Sequence, residues 1–496
     1  MPEYLKALVV VLFLATIVFT LAGRYACATA QLEDFARRRN TWFVLTLAAF
    51  LSQSFWIYTL IAVPLLLYVN QHESNPPALF FFILFVLPIA TIPIPGMGLI
   101  NFLFDLSHAR LLELCILLPA FFAIRRQANA LSFGRTATDK TLAGYLALTA
   151  ILALLEKPSA TNSLRDAFYL FIDVFLPYYV ISRSLKNLAA FRDALLSLVL
   201  AIMVLAPIAV FESIKHWLLY SAVSDVLELQ GAMTGYLSRD GIIRSIATAG
   251  QPIALGYLMV VGIGFYLFLQ RYIQKKLFRR LGMLVLAAGL IAALSRGPWV
   301  GVAVLLFIFI ATGRYAMPRL IGVSLAAILA FTLVAMLPGG ERVINLLPFI
   351  GNTETENIDY REQLITNSTI VIKRNLWFGS VNYFKAPEME ALRQGQGIID
   401  VVNSYIGIAL TRGLVGLGLF LSFFAFTLLG IYRAMRLIPD RESEEYLLGR
   451  VLLATLLAIL VIIFTVSSIT IIPIIYWSVA ALGAAYTQMV RKMRFE

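Results

Sequence analysis

Three histidines and two cysteines are all that 496 residues hold of the side chains that most often ligate soft metals. Cys27 and Cys115 sit near or within apolar runs at no metal-ligand spacing, so neither a zinc or iron–sulfur centre nor a structural disulfide is expected. His72, His108 and His216 are scattered, each expected in a loop. H-E-x-x-H and G-x-x-x-x-G-K-[ST] are both absent, which leaves zinc hydrolysis and nucleotide hydrolysis without a motif. Hydride transfer is equally unsupported. Charge is scarce at 14%, and no internal repeat supports an inverted-repeat transporter.

What the chain has in abundance is apolar surface: 60% hydrophobic residues and a mean hydropathy of +0.84. Apolar runs of roughly 18–25 residues recur, each enough to cross about 30 Å of hydrocarbon as a helix. They do not alternate as barrel strands would. The expected fold is an all-α, polytopic transmembrane bundle of about 12–14 helices forming one integral membrane domain over residues 1–496, with neither metal nor cofactor. Candidate spans are 4–23, 41–69, 78–95, 110–124, 141–156, 167–182, 190–211, 250–270, 281–295, 299–313, 319–338, 411–431, 449–467 and 472–489. Residues 1–23 resemble a signal peptide, but Arg24 and Tyr25 follow where small residues would mark cleavage, so an uncleaved first helix is expected.

The net charge of +12 gathers in short loops, as the positive-inside rule requires of cytoplasmic sides. Arg125-Arg126, Arg271 through Arg280, Arg314 with Arg319, Arg433 through Arg441 and Arg491 through Arg494 are all expected there. Alternation then puts 212–249, 296–298, 339–410 and 468–471 outside. The scheme fails before residue 78: Arg37-Arg38-Arg39 looks cytoplasmic, which conflicts with a single span at 41–69. Either 41–53 lies at the interface, or 41–69 is a hairpin of two short helices, or the basic cluster is external. Segment 212–249 is a first external segment. Segment 339–410 is a large external loop that opens on a helix stop, Leu337-Pro338-Gly339-Gly340, and carries an amphipathic helix near 360–378. Asn367-Ser368-Thr369 matches a glycosylation acceptor by chance.

Chemistry is expected from arginines at the external surface. Arg244 precedes a span, Arg296 lies in the turn Ser295–Trp299 between two apolar runs, Arg361 is in the large loop and Arg412 opens a later span. An arginine between apolar runs is costly unless it faces protein, water or an anion. Guanidinium stays charged and presents a planar fork suited to phosphate oxygens, so two converging on one cavity would make a diphosphate site without a metal. Each could instead anchor a helix end at the headgroups.

The run Leu294-Ser295-Arg296-Gly297-Pro298-Trp299-Val300-Gly301 resembles the signature of the O-antigen ligase and O-antigen polymerase superfamily. Arg244 through Pro252 with Gly256, Tyr360-Arg361-Glu362 followed by Leu376-Trp377-Phe378-Gly379, and Asn403-Ser404-Tyr405 followed by Gly413-Leu414-Val415-Gly416-Leu417 resemble further segments of that family in the same order. The likeness covers roughly residues 140–435. It implies a glycosyltransferase of cell-surface polysaccharide (lipopolysaccharide or exopolysaccharide) biosynthesis, multi-pass in the bacterial inner membrane. The donor would be an undecaprenyl-diphosphate-linked glycan, used at the periplasmic face. The acceptor would be a glycan or a lipid, and chain-length or flippase proteins are possible partners; nucleic acid is not. Arg244 and Arg296 would hold the diphosphate, with Gln251, Arg361, Asn403 and Arg412 as further substrate contacts.

One departure matters. Ligases carry a histidine where this chain has Val402, and valine accepts no proton. Asp400 is the expected substitute base, ahead of Asp359 and Glu362, and the missing histidine favours a polymerase over a lipid A-core ligase. The rival from another class is a flippase, for which Glu113, Glu156 and Asp173 would be the coupling carboxylates. They fall on different helices, with no evident partner.

Overall fold

The computed structural model describes the chain except residues 27–31, 89, 97, 99–100, 128–130, 157–158, 230–236, 240, 337–354, 394–396, 470 and 496. Cys27 and the expected helix stop at Leu337–Gly340 lie outside the described residues. The described part is helical almost throughout. Its strands are two short antiparallel hairpins, Ile92–Pro95 with Phe102–Leu106 and Ser238–Arg239 with Ile242–Ile243.

Helices α1 (Glu3–Ala26), α2 (Leu32–Leu51) and α3 (Phe55–Gln71) stand side by side, followed by the short α4 (Pro76–Ile83). α5 (His108–Leu112) runs through a π-helical turn, Glu113–Leu117, into α6 (Leu118–Arg125). α7 (Ala137–Glu156) precedes α8 (Ala160–Tyr169), which passes through a second π-helical turn, Leu170–Phe175, into α9 (Leu176–Ser184). Then come α10 (Leu188–Lys215), α11 (Ser221–Val226), α12 (Pro252–Leu269), α13 (Lys276–Ala292), α14 (Arg296–Ala311) and α15 (Ala316–Met336). The large loop contains α16 (Thr355–Arg374) and α17 (Pro387–Glu390), and α18 (Ser404–Arg436), α19 (Glu444–Ile462) and α20 (Ile472–Phe495) close the chain. α12 is central, packed against α10, α13, α14 and α19.

Among the described residues, seven helices are long and apolar enough to cross a membrane, while Phe55–Gln71 and Arg296–Ala311 are shorter apolar helices. The expected all-α polytopic bundle is what the described residues form, with some of the apolar runs divided into shorter helices. The 78–95 run is helical only to Ile83 and ends in a strand at Ile92–Pro95, because Pro88, Pro93 and Pro95 withdraw backbone donors. Nor is His108 a loop residue: it is buried at the start of α5, between the Tyr58 hydroxyl at 2.8 Å and the Ile83 carbonyl at 2.9 Å.

The conflict before residue 78 has a structural answer. The 41–69 stretch breaks at residues 52–54, where Gln53 takes a left-handed φ of 51°, so it is a hairpin of two helices. Phe50 at the hairpin tip packs on Tyr220, beyond the C-terminus of α10. At the other end Arg38 is buried and donates to Asp193 near the start of α10 (2.6 Å) and to Glu73 (3.1 Å). Arg38 is thus an internal ion-pair hub rather than a solvent-facing topology signal. The end carrying Asp193 also holds Arg192 against Glu444, and Arg271 and Arg314 against Glu442; it is the basic end of the bundle. Glu3 meets Trp217 at the opposite, distal end.

Candidate functional site

Arg244 follows the strand Ile242–Ile243 and is held by its own backbone, which donates to the Leu237 carbonyl at 2.8 Å. Its guanidinium Nη2 donates to Ser295 Oγ at 3.0 Å. Ser295 occupies the N-cap position of α14, without a side-chain capping bond, and Arg296 is the first residue of that helix. One residue on, the Ser245 amide donates to the Ala292 carbonyl at the end of α13 (3.2 Å), and Ser245 Oγ donates to the Ala209 carbonyl (2.6 Å). The two arginine segments, about fifty positions apart in sequence, therefore meet at the distal end.

Close helix packing makes this meeting possible. A Cβ on Gly256 of α12 would lie 2.8 Å from Pro298 Cγ, so only glycine lets the first turn of α14 nest there. On the other side of α14, a Cβ on Gly297 would lie 2.4 Å from Thr465 Oγ1. The Ser-Arg-Gly-Pro run is thereby explained in part by geometry: the serine hydroxyl accepts from Arg244, glycine and proline pack, and arginine begins the helix. Both arginine loops are bent into unusual backbone. Ala247 and Leu294 have φ of 45° and 44°, a region costly for residues with a Cβ.

Sequence reasoning missed the residue that organises the Arg244 loop. Glu212, fully buried near the end of α10, accepts N–H groups from Leu219 (3.1 Å) through one oxygen and from Ile246 (3.1 Å) and Ala247 (2.9 Å) through the other. A carboxylate at the end of an apolar run was the available signal. It fell in the expected external segment because α10 continues to Lys215 rather than stopping at 211.

Asp400 and Asn403 lie across the Thr465 turn. Asp400 Oδ1 accepts from Ser467 Oγ at 2.5 Å, and its carbonyl accepts from the Tyr360 hydroxyl at 2.9 Å. Tyr383 is near enough that the charge of Asp400 adds to burial in pushing its phenol above the usual range. Asn403 is the N-cap of α18, and its Oδ1 accepts from the Tyr405 and Ile406 amides. That oxygen serves the helix end. Gln251 is the N-cap position of α12, with no side-chain capping bond. Arg361 projects from an exposed position of α16. Among the described residues no group of three or more His, Cys, Asp or Glu is placed to hold a metal ion.

The expected amphipathic helix is α16. It buries Leu364 and Val371 against Met389, Leu392, Val401 and Leu410. Asn367 is used internally, donating to the Glu388 carbonyl at 2.7 Å. After α16, Leu376–Ser380 crosses α18 where that helix is broken at Gly413 (φ 63°, ψ −167°). The Leu414 and Val415 amides donate to the Leu376 and Trp377 carbonyls at 2.8 and 3.1 Å, and the Ser380 amide donates to Leu410 at 2.8 Å. Two motifs far apart in sequence are thus one structural joint.

Arg412 sits at that joint. Its Nε donates to Thr149 Oγ1 at 2.9 Å and its guanidinium lies over the Tyr145 ring. It lines a separate cavity with Glu156, Asn162, Asp166 and Asn382. Glu156 and Asp173 do have partners, contrary to expectation: Glu156 accepts from Ser380 Oγ and the Val381 amide, and Asp173 pairs with Arg110 at 2.8 Å.

No curated protein matches the chain at significant similarity. The family described as O-Antigen ligase matches residues 281–421, a stretch that takes in Arg296, Arg361, Asp400, Asn403 and Arg412 and leaves Arg244 outside. The matched stretch, which carries the arginine-bearing turn and the large loop, is thus similar to the O-antigen ligase family, and it lies within a helical membrane architecture.

Proposed function

We propose that the chain transfers a glycan from an undecaprenyl-diphosphate donor to a glycan or lipid acceptor at the periplasmic face of the bacterial inner membrane, without a metal. The observation that carries this reading is the 3.0 Å bond from Arg244 to Ser295, which sets one guanidinium against the mouth of the helix that Arg296 begins. A diphosphate is a leaving group that gains charge as the glycosidic bond breaks. Fixed guanidinium groups stabilise that charge without reorganising during the reaction. The helix mouth adds backbone N–H groups that favour an anion. The distal end suits a periplasmic site because the opposite end gathers the basic loops.

Asp400 is proposed as the base for the acceptor hydroxyl. Ser467 donates to its carboxylate and Tyr360 to its backbone carbonyl, and the Thr465 turn, which follows Ile462 and precedes Ser467, reaches Gly297 beside Arg296. With Val402 in place of the ligase histidine, polymerisation of repeat units fits better than transfer to lipid A-core. Deletion of the gene and complementation tests the assignment. Arg244→Ala or Arg296→Ala is expected to cut polymer yield on the order of 100-fold or more. Full-length polysaccharide from either variant at normal protein levels would overturn it.

A further inference from the structure

Separate from the Arg244–Arg296 segments, a cavity of about 430 Å³ has no assigned role, and the inference drawn from it rests on the glycan-transfer reading above. α7 and α8 form one wall, with Thr149, Leu152, Ala153 and Glu156 from the first and Asn162 and Asp166 from the second. The large loop forms the other wall with Val381, Asn382 and Phe384, and Thr411 and Arg412 of α18 complete the lining. Its size lies within the range of small-ligand pockets.

The lining is selective about chemistry. Two carboxylates, two amides, two hydroxyls and one guanidinium supply donors and acceptors in several directions, and Phe384 presents a partly exposed ring. A lipid tail would lie against a lining rich in polar side chains, which hydrocarbon disfavours. A diphosphate would face Glu156 and Asp166 with a single arginine to offset them. A sugar ring fits both needs: hydroxyls that donate and accept, and a C–H face to lie on an aromatic.

The cavity is also built, not incidental. Arg412 is fixed by Thr149 and Thr411 and stacked over Tyr145. Glu156 is pinned by Ser380 Oγ (2.9 Å) and the Val381 amide (2.7 Å), which ties the loop wall to the membrane wall. The break at Gly413 lets the loop reach it. Arg412 lies nine residues along α18 from Asn403, roughly 13 Å by helical rise. A saccharide chain with its reacting end near Asp400 would reach the cavity with an adjacent sugar.

We propose that this cavity is a glycan subsite that grips a sugar residue neighbouring the one transferred. It therefore sets which repeat unit the enzyme accepts, and it is independent of the diphosphate contacts.

The test uses the full-length protein in nanodiscs and, as probe, the free oligosaccharide repeat unit released from the host's own polysaccharide. It carries neither lipid nor phosphate. Saturable binding is expected, weakened about tenfold or more by Asn382→Ala and by Asp166→Asn, and changed less than twofold by Arg244→Ala. Phe384→Ala, at an exposed position, gives a second readout that does not burden folding. Transfer assays then distinguish the source: the cavity variants raise KM for the donor if the subsite holds donor glycan, and for the acceptor if it holds acceptor. Binding that is absent in the wild type, or within twofold of wild type in every cavity variant, would overturn the subsite while leaving the arginine site standing. Normal polymer from Arg244→Ala would instead remove the underlying reading.

Discussion

The Glu212 carboxylate accepts three backbone N–H groups, two of them from the loop that aims Arg244. Removing it strands three buried donors, each worth about 1–3 kcal/mol. Glu212→Ala is therefore expected to destabilise the protein by roughly 3 kcal/mol or more and to abolish polymer with both arginines intact. Glu212→Gln, which keeps one acceptor oxygen, should fall between. Melting midpoints of the purified protein, read beside polymer yield, check both. A Glu212→Ala protein as stable as the wild type would show that the loop does not depend on this carboxylate. At this scale the arginines were legible because charge beside an apolar run stands out. Glu212 was not, because its partners are backbone groups up to 35 positions away, and main-chain contacts leave no mark in side-chain identity. Asn403 shows how one residue type reads two ways. An asparagine ahead of a helical run is as good a cap as a ligand, and here its oxygen caps.

Among the elements, the joint between Leu376–Ser380 and the broken helix α18 is the most exacting. A Cβ at Gly413 would lie 2.2 Å from the Trp377 carbonyl carbon, and the backbone there has a left-handed φ. Gly413→Ala should detach the loop strand from the helix, open the large loop to protease and lower activity strongly, whereas Gly418→Ala, where a Cβ meets nothing within 4 Å, should be close to neutral. Limited proteolysis of the two variants reads the difference. Equal protection of both would contradict the joint. The elements differ in how readable they were. α16 was visible because its apolar residues recur at helical spacing. The 78–95 run was misjudged because composition outweighed three prolines in its second half, and α18 begins seven residues before its expected start, where Asn403 caps its first turn and Ser404 and Tyr405 bond to the Val466 and Leu460 carbonyls.

For the whole molecule, the arrangement of α1–α3 sets the direction of every later helix. The hairpin tip near Gln53 and the Trp217 region are expected on one side of the membrane, with His72 and Arg271 on the other. In a background lacking Cys27 and Cys115, single cysteines at 53, 217, 72 and 271 should sort two and two when labelled by a membrane-impermeant thiol reagent. Labelling of 53 together with 72 from one side would break the arrangement. Sequence alone left this open because the positive-inside count treats Arg38 as exposed, whereas the folded bundle buries it among carboxylates from the 70–75 turn and α10.

The convergence of Arg244 and Arg296 on one diphosphate is tested most directly by lipid affinity. The reconstituted protein should bind undecaprenyl diphosphate about tenfold or more tightly than undecaprenyl monophosphate, a difference of about 1.4 kcal/mol. Arg244→Ala and Arg296→Ala should each erase that preference, and the double variant should bind little worse than either single one, as expected of two groups sharing one ligand. Undiminished preference for the diphosphate in either single variant would contradict the account.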